Sequence, residues 1–381
     1  MTRPADFKAL AGLTPDPASG TVDWPALWPL WPELAALDTC PQDPRHHGEG
    51  DAGIHTRMVV EALVADPDWR ALDPGARSIL FWAAVLHDIG KPATTRTEAD
   101  GRITSRGHSR TGAALARRLL WQAEAPFHWR EAICAVIAAH QLPFWLIERP
   151  DPARLAIATS WRGRPEWLCL HARADARGRH CADRQAILDN VALAQEVFAE
   201  SGCLAAPFPF ANDESRVAFF EREDRDPHFA AHEDFRCTVT VMSALPGSGK
   251  DSWIARNLPG HPVVSLDDIR AETGIGPKAN QGQVVQLAQE RAREHLRAGR
   301  DFVWNGTNVT RQNRARLLRL LRDYGARIEI VYIEPTRRMT LQQNRNRTAA
   351  VPEAVIEHLA ARLEPPGLDE AHALCRVVPE G

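Results

Sequence analysis

Two sets of residues in this 381-residue chain have types and spacings that could do chemistry. The first lies between Cys237 and Arg270, CTVTVMSALPGSGKDSWIARNLPGHPVVSLDDIR. An alternating β-branched run, Thr238–Val241, enters a loop of small residues (Pro246, Gly247, Ser248, Gly249), followed by Lys250, Asp251, Ser252 and a helix-like segment. A strand that feeds a glycine-rich turn at a helix N-terminus gathers backbone N–H groups around an anion, and the helix dipole adds positive potential. A phosphate cradle is the expected product. A second apolar run, Val263–Leu266, then carries Asp267, Asp268 and Arg270 to the carboxyl ends of the strands, where open α/β sheets hold ligands. The second set is His55, His87-Asp88 and Asp175, each at the edge of an otherwise apolar helix. A buried carboxylate without a partner is very unfavourable, and a divalent metal bound by two imidazoles and two carboxylates supplies one. Mixed nitrogen and oxygen ligation suits Mn, Fe, Co, Ni or Zn better than Mg or Ca.

Different elements must position the two sets. From Asp51 to about Ser201 the apolar spacing is helical throughout: Ile54, Met58, Val59 and Ala62, then SILFWAAVLHD, TGAALARRLLWQ, WREAICAVIAAH, PEWLCLHARADARGR and DRQAILDNVALAQEVF. No period-2 strand interrupts them, so residues 1–203 are expected as an all-α domain of six or more helices. Trp24, Trp28 and Trp31 are expected to pack its outside. Residues 204–236 read as a connector, partly packed through Phe208, Phe210, Phe219 and Phe220. Residues 237–381 alternate strands and helices, with strands at Phe302–Asn305 and Arg327–Ile333 and helices near Gln283–Arg297, Asn313–Asp323, Arg337–Gln343 and Glu353–Arg362. That alternation implies a parallel sheet with helices on both faces.

Composition narrows the class. Hydrophobic residues make up 44% and charged residues 25%, ordinary for a globular chain, and the net charge is −3. The charge is unevenly divided: from Cys237 onward about 20 Lys and Arg face about 16 Asp and Glu, leaving that part near +4 and the remainder near −7. The seven cysteines are scattered without a C-x-x-C pair, so no zinc knuckle or disulfide framework is indicated. No cationic leader with a long apolar core opens the chain, and no apolar run approaches 18 residues, so a cytoplasmic, non-membrane protein is expected.

The histidine–aspartate set resembles the HD phosphohydrolases, whose signature H…HD…D is matched by His55, His87-Asp88 and Asp175. EGDAGIHT, HDIGKP, GHSRTGA, AAHQLP and DARGR agree as well. The EGD-x-x-x-HT form looks like the HD domain attached to bacterial tRNA nucleotidyltransferases. The resemblance adds His108 and His140 at positions that hold a second metal or contact the scissile phosphate. Lys91 beside the pair and Arg179 four residues after Asp175 become candidates to hold phosphate oxygens. His171, four residues before Asp175, is either an outer partner or a plain core residue. His46, His47, His128, His180, His228 and His232 match nothing and are assigned to surfaces.

Against G-x-x-x-x-G-K-[ST], the phosphate loop departs twice: Ala244 replaces the first glycine and Asp251 the hydroxyl residue that normally ligates Mg²⁺. Asp251 or Ser252 is expected to serve instead. Asp267-Asp268-Ile269-Arg270 and Asn344-Arg345-Asn346-Arg347 resemble the 5′-hydroxyl polynucleotide kinase family. The resemblance makes Asp267 the general base, Arg270 a contact to the acceptor's neighbouring phosphate, and Arg345 and Arg347 lid residues that clamp the triphosphate. Asn305-Gly306-Thr307-Asn308 follows a strand where many such enzymes carry an acid. Arg311, Arg314, Arg319 and Arg322 form either a basic helix stripe for nucleic acid or a solvated helix face.

Across nearly the whole chain the order resembles the HD-Pnk family of bacterial bifunctional end-healing enzymes. A multidomain architecture is implied, an all-α HD-domain bundle followed by an α/β P-loop domain. The first would remove 2′,3′-cyclic, 2′- or 3′-phosphate from RNA or DNA ends using one or two transition metals. The second would phosphorylate 5′-OH ends with an NTP (ATP or GTP) and Mg²⁺, handing the product to a polynucleotide ligase. The competing readings are a nucleotide phosphohydrolase fused to a small-metabolite kinase, and a nucleotide-sensing signalling protein.

Overall fold

The computed structural model describes residues 6–276, 279–347 and 350–379. The chain divides into a unit spanning Met1–Phe208 and a second that begins at Pro209.

The first unit is helical: α1 (Ala52–Ala65), α2 (Pro74–Leu86), α3 (His108–Gln122), α4 (Phe127–Ala139), α5 (Pro152–Ser160), α6 (Pro165–Arg177) and α7 (Arg184–Glu200), with shorter turns between them. Asp51 caps α1 by accepting from the Ile54 amide at 2.9 Å, and Asp73 caps α2 with a proline in its first turn. Each such cap is worth about 1 kcal/mol. Helix α2 is buried without interruption along its C-terminal half, from Leu80 through Leu86, and so forms the centre of the bundle. Two glycines let neighbouring elements close on the site. A Cβ at Gly90 would lie 2.3 Å from the His108 carbonyl, and one at Gly178 would lie 2.7 Å from Val59 Cγ2 and 2.8 Å from the Val59 amide. Glycine at these positions brings α3 against the His87-Asp88 turn and the end of α6 against α1. Trp31 packs edge-on to Trp82 at 5.8 Å, and Trp24 and Trp28 lie against each other, so the N-terminal tryptophans do pack the bundle.

One sequence expectation, an uninterrupted run of helices, is corrected by the structure. A short antiparallel hairpin, β1 (Arg96–Thr97) and β2 (Ile103–Thr104), interrupts the helices. Each strand has two residues, too few for periodicity to register, and Gly101 at φ 82° turns the loop between them. The stretch Phe127–Glu148, helical apart from a turn at His140-Gln141, is long and apolar enough to cross a membrane by length and composition alone, at mean hydropathy 1.2. Its Ile133, Cys134 and Ile137 lie in the core.

The second unit is a five-stranded parallel sheet in the order β4-β5-β3-β6-β7, built from β3 (Cys237–Ala244), β4 (Val263–Ser265), β5 (Phe302–Asn305), β6 (Ala326–Ile333) and β7 (Ala373–Val377). Strand β3 is central and pairs with β6 from Cys237↔Ala326 to Ala244↔Ile333. Its helices are α8 (Asp213–Glu221), α9 (Lys250–Asn257), α10 (Leu266–Thr273), α11 (Gln281–Arg297), α12 (Arg311–Asp323), α13 (Arg337–Arg345) and α14 (Glu353–Ala360). Val239, Val241, Ile328 and Ile330 pack with Leu317, Leu318 and Leu321, while Met242, Val303 and Val331 pack with Ile254, so both faces are covered.

Two elements here were unexpected. Edge strand β7, half-exposed, lacks the β-branched alternation of a central strand. Helix α8 falls inside the stretch read as a connector, and Arg216 pins it by donating to the carbonyls of Leu368, Ala371 and His372 at 2.7–3.1 Å.

Candidate functional site

In the first unit, His55, His87, Asp88, His108, His140 and Asp175 all meet in one place, and none is more than 5% exposed. Four histidine rings are fixed the same way. The Nδ1 atoms of His87, His108 and His140 donate to the carbonyls of Ala84, Ser105 and Ile137 at 2.7–2.8 Å. His55 Nδ1 lies 2.9 Å from Glu49 Oε1 and 3.3 Å from the Gly178 carbonyl. With each Nδ1–H engaged, every Nε2 presents a lone pair inward.

Those lone pairs face acceptors. His55 Nε2 lies 3.2 Å from Asp175 Oδ1, His87 Nε2 3.2 Å from Asp88 Oδ2, and His108 Nε2 3.4 Å from Asp88 Oδ1. His108 Nε2 and His140 Nε2 lie 3.2 Å apart. His55 Nε2, His87 Nε2, both Asp88 oxygens and Asp175 Oδ2 are buried without a hydrogen bond. Lone pairs and carboxylates this close repel unless a cation stands among them. The ligand atoms form two clusters, His55-His87-Asp88 and Asp88-His108-His140, each within 4.8 Å and sharing Asp88. Asp175 Oδ2 remains open beside the first. This donor set fits one or two divalent transition metals.

The electrostatics agree. Burial pushes His108 down and His140 well below the usual imidazole range, and neutral rings are what ligation requires. Burial alone would lower His55, but the Asp175 and Glu49 carboxylates outweigh it and raise its affinity for a positive charge. Burial opposes ionisation of Asp88, yet His87 and Lys91 hold it well below the carboxylate range. Lys91 Nζ lies 2.7 Å from Asp88 Oδ2 as an ion pair, without hydrogen-bond alignment, and donates to Gln42 Oε1 at 2.5 Å. Arg179 donates Nε to Asp175 Oδ1 at 2.9 Å, with Nη2 also 2.9 Å from that oxygen as an ion pair, and its guanidinium covers the Phe144 ring. Lys91 and Arg179 also border a cavity of about 350 Å³ that opens over His108.

The sequence reading missed Glu49. This residue sits in the quoted EGDAGIHT segment, and its Oε1 bridges His55 Nδ1 and His47 Nδ1, the latter at 2.8 Å. His47 is therefore no surface histidine: its side chain is 12% exposed, and burial lowers its pKa to about 4. His171 is fully buried 5.3 Å from the His87 ring, with both nitrogens unpaired and a pKa that burial lowers to about 3. The others assigned to surfaces (His46, His128, His180, His228 and His232) are exposed.

In the second unit, the turn between β3 and α9 has Gly247 at φ 81° and Gly249 at φ 85°, conformations that favour glycine. Pro246 lies in this turn, and Gly247, Ser248, Gly249, Lys250, Asp251 and Ser252 line a cavity of about 750 Å³. Lys250 Nζ sits between two carboxylates, 3.3 Å from Asp251 Oδ1 and 3.8 Å from Asp267 Oδ2. Asp267 is 61% exposed and paired with Arg270, whose Nε donates to Gln281 at 2.8 Å. Asn305, where an acid was sought, donates to Asp251 Oδ1 at 2.8 Å. Burial opposes ionisation of Asp251, but the Asn305 hydrogen bond and Lys250 keep it below the usual carboxylate value. The two lid arginines part company: Arg347 lines the cavity, whereas Arg345 pairs with Glu353 at 2.7 Å. The arginine stripe resolves into ion pairs. Arg314 is fully buried and bidentate to Glu370 at 2.9 Å, Arg311 pairs with Asp369 at 2.8 Å and Arg322 with Glu221 at 2.6 Å; Arg319 is exposed.

Comparison with known proteins matches residues 54–162 to the HD domain and residues 239–366 to the AAA domain. The chain thus joins an HD domain to an AAA-type domain that carries the phosphate loop. Among curated proteins it is similar to the multifunctional CCA protein of Halorhodospira halophila, 33% identical over 230 residues, covering 59% of this chain and 50% of that protein. The multifunctional CCA proteins of Methylococcus capsulatus (34% identical, 46% of this chain, 40% of that one) and Teredinibacter turnerae (33%, 40% and 36%) are similar too. The chain thus spans about half or less of the length of these relatives. A solved structure of a kinase candidate from Chloroflexus aurantiacus aligns at TM-score 0.33 and 16% identity, over 38% of this chain and 86% of that one.

Proposed function

We propose that the chain is a bifunctional nucleic-acid end-healing enzyme. Its first unit removes 2′,3′-cyclic, 2′- or 3′-phosphate from RNA or DNA ends, and its second transfers phosphate from an NTP to a 5′-OH end. The observation that carries the reading is the exposed carboxylate of Asp267, 3.8 Å from the phosphate-loop lysine with Arg270 beside it. An acceptor base at an open mouth suits the end of a polymer, and a signalling or sensing module has no use for one. The similarity of the chain to multifunctional CCA proteins supports a nucleic-acid substrate for the companion site.

In the first unit, a divalent cation held by His55, His87, Asp88 and Asp175, with a second by Asp88, His108 and His140, would supply hydroxide near neutral pH and polarise the phosphoryl group. Lys91 and Arg179 stand at the cavity wall to take phosphate oxygens as negative charge develops. Water displaces the ribose oxygen of a cyclic phosphate, leaving a monoester, and a second water releases that monoester as inorganic phosphate.

In the second unit, the loop amides and Lys250 receive the β- and γ-phosphates, and Mg²⁺ would be held through Asp251 or Ser252. Asp267 accepts the proton of the 5′-OH as its oxygen attacks the γ-phosphorus and the NDP leaves. Arg270 orients the acceptor through its adjacent phosphate, and Arg347 faces the triphosphate.

The test incubates the protein with a labelled NTP and a 5′-OH oligonucleotide, and separately with Mn²⁺ and an RNA ending in a 2′,3′-cyclic phosphate. Free nucleosides and mononucleotides serve as competing substrates. Transfer to the oligonucleotide and loss of the terminal phosphate are expected. Activity confined to the small molecules would replace this reading with small-metabolite chemistry, and no product in either assay would refute it.

A further inference from the structure

The cavity over His108 has one wall that the chemistry does not use. Its floor is formed by Lys91, His108 and Arg179, and its rim carries Trp145, Arg106 and His46. At about 350 Å³ it lies at the small end of the range for small-ligand clefts, roughly 300–1,000 Å³. Trp145 is 46% exposed, the one exposed tryptophan among the described residues of a chain with 12. It is also firmly placed. It closes the short helix Leu142–Trp145, two residues beyond His140, and follows Phe144, which is buried beneath the Arg179 guanidinium. The Phe144 carbonyl is held by Asn190 Nδ2 at 3.0 Å.

None of the other exposed large apolar side chains borders this cavity, so the indole is a single platform and not part of a wide apolar patch. The groups around it are mainly cationic or polar. Arg106 is exposed and makes no side-chain hydrogen bond or ion pair among the described residues. Two carboxylates also reach the rim. Asp43 accepts from the amides of Arg45 and Ile103, and Asp183 stands beside Cys181. One flat apolar face beside cations matches a nucleotide, which has a π-face at one end and an anion at the other.

We propose that Trp145 is the stacking platform for the terminal base of the nucleic-acid end whose phosphate enters the metal centre, and that Arg106 takes the next phosphate along the backbone. The proposal rests on the reading of the first unit as a phosphoesterase of nucleic-acid ends. It assigns that unit an end whose last base is unpaired, because a base held in a duplex cannot turn onto the indole.

The test measures binding by fluorescence anisotropy with the Mn²⁺-loaded protein, each terminal phosphate being replaced by its non-hydrolysable methylenephosphonate so that no turnover occurs; hydrolysis is followed separately on the natural phosphates. The ligands are a short 3′-phosphorylated RNA, the same RNA with an abasic last nucleotide, and a nucleoside 3′-monophosphate. For wild type, removal of the last base should weaken binding roughly 5- to 150-fold, the range for one base on one aromatic ring. Trp145→Ala should bind the intact RNA as weakly as wild type binds the abasic one and be indifferent to the base, while Trp145→Phe retains most of the affinity. Arg106→Ala should weaken the oligonucleotide and spare the mononucleotide. If Trp145→Ala responds to base removal as wild type does, the stacking role is refuted. If Arg106→Ala weakens both ligands equally, its backbone role is refuted. Wild type that neither binds nor hydrolyses these ends refutes the underlying reading; hydrolysis with no Trp145 effect refutes this proposal alone.

Discussion

The two candidate sites handle charge in opposite ways. In the helical unit, four imidazoles and two carboxylates are buried at 0–5% exposure and, apart from the His108–His140 contact, left without hydrogen bonds to one another. The protein has done the desolvation in advance, and the arrangement is stable only with cations among the ligands. In the α/β unit, Asp267 and Asp251 are 61% and 63% exposed, and Lys250 between them is already neutralised. On the proposed function the anions there come from the ligand, and a triphosphate would take the place of the carboxylates around Lys250. Water chemistry at a fixed phosphate wants a rigid, pre-paid metal cage. Phosphoryl transfer between two mobile substrates wants an open mouth that closes around them.

The contrast can be broken most sharply by disabling one site at a time. Asp88→Ala should abolish phosphoesterase activity and spare the kinase, whereas Asp267→Asn should lower kinase turnover roughly 10²–10⁴-fold and spare the phosphoesterase. Loss of both activities in either variant would show that the sites are not independent. Next in size is the buried charge of the α/β unit, which lies in its scaffold. Arg314→Ala strips buried Glu370 of its bidentate partner, leaving only Arg311 at 3.6 Å and the Gly367 amide at 3.3 Å, and should destabilise that unit by about 3–5 kcal/mol in denaturant unfolding, with exposed Arg319→Ala near zero as the control. Equal effects would return the arginines to a solvated stripe. Glu49→Gln tests the rigidity of the cage. Losing the carboxylate on His55 Nδ1 should weaken Mn²⁺ binding about 10- to 100-fold by calorimetry, and unchanged affinity would remove Glu49 from the site. The smallest effect is expected at Asp251→Ser, where a neutral hydroxyl should raise the Mg²⁺ concentration for half-maximal kinase activity by no more than about tenfold. A fall would place the Mg²⁺ ligand elsewhere.

What could be read from sequence follows from distance along the chain. The phosphate loop is one local unit, strand, turn and helix within about twenty residues, so its glycines and Lys250 declare it. The metal set was legible because each ligand sits at the end of an apolar helix. Glu49 and His47 were not, because what places them is His180, whose amide donates to Glu49 Oε2 at 2.8 Å and whose carbonyl accepts from the Gly48 amide at 2.8 Å, 131 residues away in the chain from Glu49. Arg314 looked like a surface residue because its partner Glu370 lies 56 positions downstream. The hairpin Arg96–Thr97/Ile103–Thr104 and edge strand β7 were invisible to periodicity, being respectively too short and too exposed to carry an alternation.

The most direct measurement of the central claim uses one RNA that carries a 5′-OH and a 2′,3′-cyclic phosphate on the same strand. Incubated with the protein, an NTP, Mg²⁺ and Mn²⁺, it is followed by mass spectrometry. The account predicts a single product with a 5′-phosphate and a free 2′,3′-diol, with Asp88→Ala and Asp267→Asn each stopping one of the two changes. A strand that emerges with either end unaltered by the wild-type protein would contradict it.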